Sequence, residues 1–479
     1  MIAAILLYPL IAAPLVYFLE SKTINRLAIL IYALLFAVGS VALYMGLNPI
    51  EFTTYFGLDS LSMLFLLIMA LLFLAAAIYN MTYFNHSVVS LKGQTEYTVF
   101  FLFFIGSMAG VLFSQHLGLL WVFVEATTLF SAPLIFVERS RSSLEAAWKY
   151  IFICSIGISL AFVGIILLSI GTANLHSLFF WDLYRNAGRI NPFWLKFAFP
   201  FILVGLGTKM GLAPVHAWLP DAHSESPSPV SAMLSGVLLN AALLGILRVY
   251  KLMTLCDLHY YADHLLLAMG LLSLLVSAIF ILRTNNYKRM LAYSSIENMG
   301  IISIGVSIGG AGYYAAMLHV VAHSLTKGAF FLTAGNILHR FKSREIDKIR
   351  GLLQTDKING WLWVACFAAI SGIPPFPSFI SEFLLVKGMF QQKFFPTAIL
   401  FFFFLTIILY GMGKSVFRMS FGSKLLGIPA EKPMLSTYLP QVIILFLLLF
   451  IGLYMPDFLD TLLRKAAGEL GAIKYVGLP

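Results

Sequence analysis

Apolar windows about twenty residues long follow one another from Ile2 to Tyr454, separated only by short polar joints. This spacing constrains the chain more than any other feature. A hydrocarbon layer about 30 Å thick is crossed by about 20 helical residues. Inside it every backbone N–H and C=O must be satisfied by the protein, which leaves helices or closed barrels. Uniform apolar runs of this length fit helices. Of the 479 residues 60% are hydrophobic and 11% charged, against roughly 25% charged in a soluble domain. No soluble domain fits between the runs, so the expected fold is all-α and polytopic, a single transmembrane domain over 1–479.

Fourteen spans are predicted, at 2–19, 27–46, 58–79, 97–113, 116–136, 147–170, 194–219, 229–250, 264–282, 290–309, 312–338, 361–391, 396–418 and 438–456. The first is not followed by a small-residue cleavage site and reads as a retained helix. The seventh and twelfth are too long and carry prolines. Lys and Arg stay on the cytoplasmic side of short loops. With the N-terminus outside, the inner loops hold nineteen of the 31 Lys and Arg, from Lys22 and Arg26 through Arg139, Arg141, Lys149 and Lys288 to Lys424 and Lys432. Both termini are therefore expected on the outer face, with Lys209 and Lys327 left inside the membrane. This sorting accounts for the net charge of +10 and gives no argument for nucleic acid.

Cys154, Cys256 and Cys366 lie far apart, with no CxxC pair and no His/Cys ligand spacing. There is no GxxxxGK(S/T) phosphate loop. No metal or other cofactor is therefore expected on this chain, and any redox chemistry or nucleotide hydrolysis that drives it belongs to a partner.

A charged side chain near the bilayer centre costs at least about 2.5–3.5 kcal/mol on insertion scales, so each one calls for a partner, water or a function. Glu125, in LLWVFVEATTLFSAPL, has no basic residue within four positions. Its partner must come from another helix, unless it is a neutral or paired carboxyl kept for packing. Lys209, in GTKMGLAPVHAWLP, lies deep in an apolar run, which speaks against snorkelling to the interface. A Glu125–Lys209 pair would be a proton switch, because proton affinity changes as such a pair opens and closes. AMLHVVAHSLTKGAFF places His319, His323 and Lys327 four residues apart on one helical face. They form a stripe about 12 Å long at 1.5 Å per residue. One such histidine would read as a satisfied core residue, whereas three groups in register point to proton transfer. In SGIPPFPSFISEFLLVKG, Pro374, Pro375 and Pro377 break a helix and Glu382 follows the break; its plainer reading is a polar helix end at an interface. Pro214 breaks the Lys209 segment in the same way. Two broken segments, each with an ionisable residue, in corresponding places of two halves suggest inverted repeats around a midplane ion site. The units would be N-terminal helices over 1–96, a first five-helix repeat over 97–250, a second over 251–418, and a last helix with a short tail over 419–479.

Lesser features have plainer readings. Asp59 in FGLDSLSMLF is expected to cap the third span. His216, Asp221, His223 and Glu225 fit the mouth of an ion path, but a solvated polar turn is the simpler account. Arg139, Arg141, Glu145 and Lys149 read as an inner loop touching a neighbouring subunit.

GTKMGLAPVHAWLPDAHSESPSPVSAMLSG, YKRMLAYSSIEN and HSLTKGAFFLTAGNILHR together resemble the antiporter-like subunit family shared by respiratory complex I, Mrp sodium/proton antiporters and membrane-bound nickel-iron hydrogenases. The resemblance covers nearly the whole chain. Within the family, the wording of the first motif and the compact length are most similar to the F subunits of hydrogenase 4, a group 4 hydrogenase related to formate hydrogenlyase.

The resemblance implies roles for particular residues. Glu125 matches the glutamate of the family's fifth helix, and Lys209 the lysine of the broken seventh helix with which it pairs. His319, His323 and Lys327 match the stripe of the eleventh helix, and Glu382 the terminal residue of the broken twelfth, facing the proton exit. Where complex I subunits often place a bridging lysine, this chain has Asn240 in SGVLLNAALLGILR. An amide does not titrate, so a link from Lys209 to the histidines must use water or another side chain. In this sequence 24 residues follow Met455, too few for the long lateral helix of the largest members.

The function so implied is a proton-translocating subunit of a redox-driven complex in a prokaryotic cytoplasmic membrane. Its partners would be antiporter-like membrane neighbours and peripheral hydrogenase subunits holding a nickel-iron centre and iron-sulfur clusters. A subunit of an Mrp-type antiporter, a subunit of complex I, and a structural scaffold that has lost transport are the alternatives.

Overall fold

The computed structural model of the chain describes residues 1–47, 54–86, 89–423 and 434–471. Lys424 and Lys432 of the expected inner loops lie outside the described residues, as do the last eight residues. Among those described there are helices and isolated bridges but no strand. The helices are α1 (Ile2–Leu19), α2 (Lys22–Tyr44), α3 (Ser60–Tyr83), α4 (Leu91–Phe113), α5 (Leu117–Ile135), α6 (Arg141–Gly171), the short α7 (Phe180–Arg185), α8 (Pro192–Met210), α9 (Leu219–Glu225), α10 (Ser228–Met233) and α11 (Leu239–Leu255). After them come α12 (His259–Arg283), α13 (Tyr287–Ile308), α14 (Ala311–Phe341), the one-turn α15 (Leu352–Thr355), α16 (Lys357–Ile370), α17 (Pro377–Gln391), α18 (Phe395–Ser420), α19 (Leu439–Leu453) and α20 (Asp457–Leu470). A π-helical segment, Leu234–Leu238, joins α10 to α11, so Ser228–Leu255 runs as one span.

Twelve of these spans are long and apolar enough to cross a membrane singly, and thirteen if the bent α19–α20 pair counts as one. The difference from fourteen is physical. The segment predicted at 361–391 is split into α16 and α17, of 14 and 15 residues. The last predicted span is the 15-residue α19, which meets α20 at 79°.

Helix starts follow local capping chemistry. Asp59 accepts from the Ser62 N–H at 2.6 Å, the cap expected of it. Ser140 does the same for α6, accepting from Ser143, and Asn286 for α13, accepting from Lys288 and Arg289. Asp59 also holds Arg248 of α11 at 3.1 Å. That guanidinium is fully buried and donates as well to Ser62 Oγ and to the Ser114 carbonyl.

Two spans are broken. The first bends between α8 and α9. Gly211 takes a left-handed backbone, the Ala213 N–H donates to Ser273 Oγ of α12 at 2.9 Å, and Trp218 returns its indole N–H to the Thr208 carbonyl at 2.8 Å. The second bends between α16 and α17, where Ser378 Oγ donates to the Ala369 carbonyl at 2.6 Å. In both, the carbonyl released by the break is recaptured by a side chain from the far side, as a break away from water requires.

The protein surrounds its central helices unevenly. The most apolar 18-residue windows of Ser228–Leu255 and of α14 are 100% buried, and that of α13 is 94% buried, whereas α1 and α18 are 33% buried. The core therefore lies around α10, α11, α13 and α14, with α14 packed against α3, α10, α13, α16, α17, α19 and α20. The amphipathic α20 lies across one end of the bundle. Glu469 accepts from Lys251 of α11 and from the Ser60 N–H of α3, and Asp460 accepts from Tyr314 of α14.

Gly452 of α19 lies directly against the second break: a Cβ there would stand 1.8 Å from the Pro375 carbonyl oxygen, while one at Gly468 of α20 would meet nothing within 4 Å. Overpacking of this kind costs about 1–3 kcal/mol. Gly452→Ala is expected to lower the thermal midpoint of the purified protein in a detergent melt, with Gly468→Ala leaving it unchanged or slightly raised.

Candidate functional site

Lys209 closes α8 just before the first break and is fully buried. Its ammonium donates to Thr128 Oγ1 of α5 at 2.8 Å and to the Tyr150 hydroxyl of α6 at 2.5 Å, and it lies 4.5 Å from the Tyr150 ring centroid. Tyr150 OH also meets Ser131 Oγ at 2.6 Å, and Trp218 from the break packs on its ring at 4.9 Å. The cation is thus held by hydroxyls and a π face, with one of its three donors left over.

Glu125 is one helix turn before Thr128 on α5, but the expected direct pair with Lys209 is absent. Glu125 Oε1 accepts from Ser155 Oγ of α6 at 3.1 Å, and Oε2 has no partner. No Glu125–Lys209 ion pair forms within 4.0 Å. The pair is open because Thr128 and Tyr150 compete for the ammonium and Ser155 for the carboxylate, three hydroxyls that a count of charges along the sequence does not reveal.

The stripe on α14 is present and buried. His319, His323 and Lys327 are each no more than 1% exposed. Lys327 donates to the Leu291 carbonyl at 2.7 Å and to Ser294 Oγ, both on α13. His319 bridges two helices. Its Nδ1 lies 2.8 Å from Ser381 Oγ of α17, and its Nε2 lies 2.9 Å from Asn298 Oδ1 of α13.

The hydrogen-bond inventory fixes what His319 can do. Asn298 spends its NH2 on the Ser294 carbonyl, so its Oδ1 is an acceptor and His319 Nε2 carries a proton. Ser381 has one hydroxyl proton and two places for it, the Ser378 carbonyl at 2.7 Å or His319 Nδ1. With the imidazole neutral, Ser381 donates to Nδ1. With it protonated, Nδ1–H donates to Ser381, whose hydroxyl turns to Ser378. Both charge states are accommodated without moving a heavy atom, the property wanted of a proton relay.

Asn240, on α11 just past the π-helical segment, donates to the Gly236 carbonyl at 2.7 Å and to Ser324 Oγ of α14 at 2.6 Å; its Oδ1 is unpartnered. It therefore ties the eighth span to the stripe directly. Both nitrogens of His323 are also without a partner. Gly236 lets the two helices approach, since a Cβ there would be 3.0 Å from the Ser324 carbonyl oxygen.

The polar cluster after the first break is not the solvated turn that the sequence suggests. His223 is fully buried, stacked on Phe331 of α14 at 4.9 Å, with neither nitrogen bonded. Glu225, 8% exposed, binds Arg344 at 2.8 Å and accepts from Ser142. His216 is half-buried, with an unpartnered Nδ1. Only Asp221 behaves as expected, pairing near the surface with Lys149 and Arg289. Lys288, expected in a loop, is also fully buried and donates to the Ser226 carbonyl at 2.7 Å. Burial follows because α9 folds back under α13 instead of running outward. Arg139 and Lys149 find partners within the chain, Glu96 for the former, Glu145 and Asp221 for the latter.

Past the second break, Glu382 follows Ser381 on α17. Its Oε2 occupies the place a Cβ on Gly372 would take, 2.2 Å away, and Gly372 has φ +62°. Both the turn and the carboxylate therefore require glycine. Sequence reasoning passed over Glu297 of α13. It is 6% exposed, sits inside the quoted YKRMLAYSSIEN, and shares a cavity with Glu382. The signal was available: a glutamate three residues before a glycine in a helix with no lysine or arginine after Arg289. Among the described residues no group of three His, Cys, Asp or Glu is placed to hold a metal ion.

Residues 114–409, which hold both breaks and all the buried groups above, match the family described as NADH:quinone oxidoreductase/Mrp antiporter, transmembrane. The hydrogenase-4 component F homolog of Methylacidiphilum infernorum is 34% identical over 468 residues, 95% of this chain and 96% of its own length. The fold matches a chain of the membrane-bound sulfane sulfur reductase, an archaeal respiratory membrane complex, with TM-score 0.85 and 24% identity, over 98% of this chain and 97% of that one. It matches a chain of the Mrp complex from Dietzia sp. DQ12-45-1b with TM-score 0.86 and 20% identity, over 99% and 98%. Agreement of the matched segment with a relative aligned end to end settles the family: this chain is an antiporter-like membrane subunit of the NADH:quinone oxidoreductase/Mrp antiporter family.

Proposed function

We propose that this chain is the proton-translocating subunit of a redox-driven complex of the hydrogenase 4 or formate hydrogenlyase type. It would lie in a prokaryotic cytoplasmic membrane with both termini outside, beside other antiporter-like subunits. The name of the Methylacidiphilum relative supports the hydrogenase branch. The nickel-iron centre and iron-sulfur clusters would belong to peripheral partners. The observation that carries the proton reading is the His319 bridge: a histidine in a fully buried helix, joined to Asn298 on one side and to the broken span on the other, able to hold or release a proton by rotation of one hydroxyl.

The path runs from Glu125 and Lys209 to the stripe and on to Glu382, with Glu297 as an added carboxylate near the end. Closing the Glu125–Lys209 pair requires Lys209 to leave Thr128 and Tyr150, and a redox-driven change of charge at one end of the complex would bias that step. Among the described residues no hydrogen bond links Lys209 to His323. The unpartnered nitrogens of His223 and His323 and the free Oδ1 of Asn240 supply donors and acceptors for water there. Units 97–250 and 251–418 act as the two inverted repeats, each contributing one broken span.

An Mrp-type exchanger is the second reading, because the family the chain belongs to takes in both oxidoreductase and Mrp antiporter subunits. Affinity purification of the tagged chain in mild detergent followed by mass spectrometry separates the two. Nickel-iron hydrogenase and iron-sulfur subunits are expected; recovery of small antiporter subunits alone would assign the chain to ion exchange.

Lys209→Ala is expected to slow proton translocation by about two orders of magnitude, the range of a lost acid–base group, and so to lower the proton yield per turnover. An unchanged yield in proteoliposomes would sink the pump reading. His319→Gln retains polar groups facing Asn298 and Ser381 but cannot titrate. It should assemble and melt like the parent complex while losing proton movement, a split that a packing role would not produce.

A further inference from the structure

A cavity of about 400 Å³ lies between α13, the second broken span and α18. Its floor is polar: Glu297, Glu382 and Ser371 line it, and no lysine, arginine or histidine does. Glu297 is 6% exposed, and the charge it feels on its inner side is that of Lys327. The nearest stripe cation, Lys327, spends two donors on Leu291 and Ser294, further back on α13. The walls are aromatic and aliphatic. Phe379, Phe383 and Phe402, which line it, are 40%, 61% and 52% exposed at the surface of the chain.

We propose that this cavity is a binding site for a lipophilic amine: a protonated ammonium headgroup on an alkyl or aryl body, entering sideways from the membrane between Phe383 and Phe402. The volume lies in the range of small-molecule sites, about 300–1,000 Å³, which are mostly apolar with a few convergent polar groups. Two carboxyl groups facing one poorly solvated space repel each other when charged, and an ammonium between them turns that repulsion into two charge-assisted contacts. The phenylalanine faces favour the same cation. A bare alkali ion would leave the apolar walls unused, a neutral amphiphile would leave both carboxyls unpaired, and an anion would be repelled. A bound amine would stand beside the last carboxylates of the proton path, yet the site rests on the cavity alone and does not depend on transport.

The test uses the purified whole complex in lipid nanodiscs, with radiolabelled N,N-dimethyldecylamine as probe and 1-decanol as its neutral counterpart. Binding is followed by equilibrium dialysis against empty nanodiscs. Saturable binding of the amine above bilayer partitioning is expected, weakened about tenfold or more by Glu297→Gln and by Glu382→Gln through loss of a charged partner. The surface variant Glu96→Gln should leave it unchanged. Phe402→Trp, which narrows the mouth without touching a carboxyl, should weaken it too and covers the case in which a glutamine variant fails to fold. Equal retention of decanol, or amine uptake that does not saturate and is the same in every variant, would overturn the proposal. Proton transport is measured separately, so failure of the site and failure of the pump reading give different results.

Discussion

Everything in this structure is arranged around the cost of putting a charge where lipid would otherwise be. An ammonium or carboxylate facing acyl chains is expensive, and the fold answers by keeping Lys209, Lys288, Glu297, His319, His323 and Lys327 inside a ring of other helices. The helices that carry most of them are fully sheathed, while outer helices such as α1 and α18 show two-thirds of their windows to the surroundings. Sheathing removes lipid but supplies no partner. Partners come from small hydroxyls instead of opposite charges: Thr128 and Tyr150 for Lys209, Ser294 for Lys327, Ser155 for Glu125. A hydroxyl both donates and accepts, so it solvates a group in either protonation state. A salt bridge would hold one state only.

The broken spans obey the same rule for the backbone. Each break frees carbonyls at a depth where no water is assured, and each is repaired by one side chain, Trp218 in the first and Ser378 in the second. The repair keeps the break where it is, and the break is what sets Lys209 at a helix end in one half and Glu382 beyond a turn in the other. Pro214 and the run Pro374–Pro375 are therefore the cause of the site's geometry in each half, and Gly372 is its clearance.

Much of the architecture was legible because the signals are local. The first span was read at 2–19 and α1 is Ile2–Leu19; the Asp59 cap and both breaks followed from one or two residues each. What escaped is long-range. Tyr150 and Thr128 lie 59 and 81 residues from Lys209, and nothing in the sequence pairs them with it. Lys288 was counted as a loop cation because the predicted tenth span began only at 290. Only the return of α9 beneath α13 buries it. His223 and Glu225 stand in a stretch rich in Ser and Pro that resembles a surface turn, and the same packing overrides that composition. Glu297 was missed for a different reason: its segment carries no helix break to draw the eye, and its neighbour in space, Glu382, comes from a helix 85 positions later.

The clamp formed by α20 carries a mechanical consequence. Its carboxylates fasten α3, α11 and α14 to one transverse strut through Lys251, Ser60 and Tyr314, while at the opposite end Arg344 holds Glu138 and Glu225 together. A bundle cross-braced at both rims resists the rocking of one half against the other by which many carriers expose a site alternately to each side. Under the proposed proton path, movement through such a frame would fall to its lightest parts, rotating hydroxyls, swinging amines and exchangeable solvent, and would leave the scaffold where it stands.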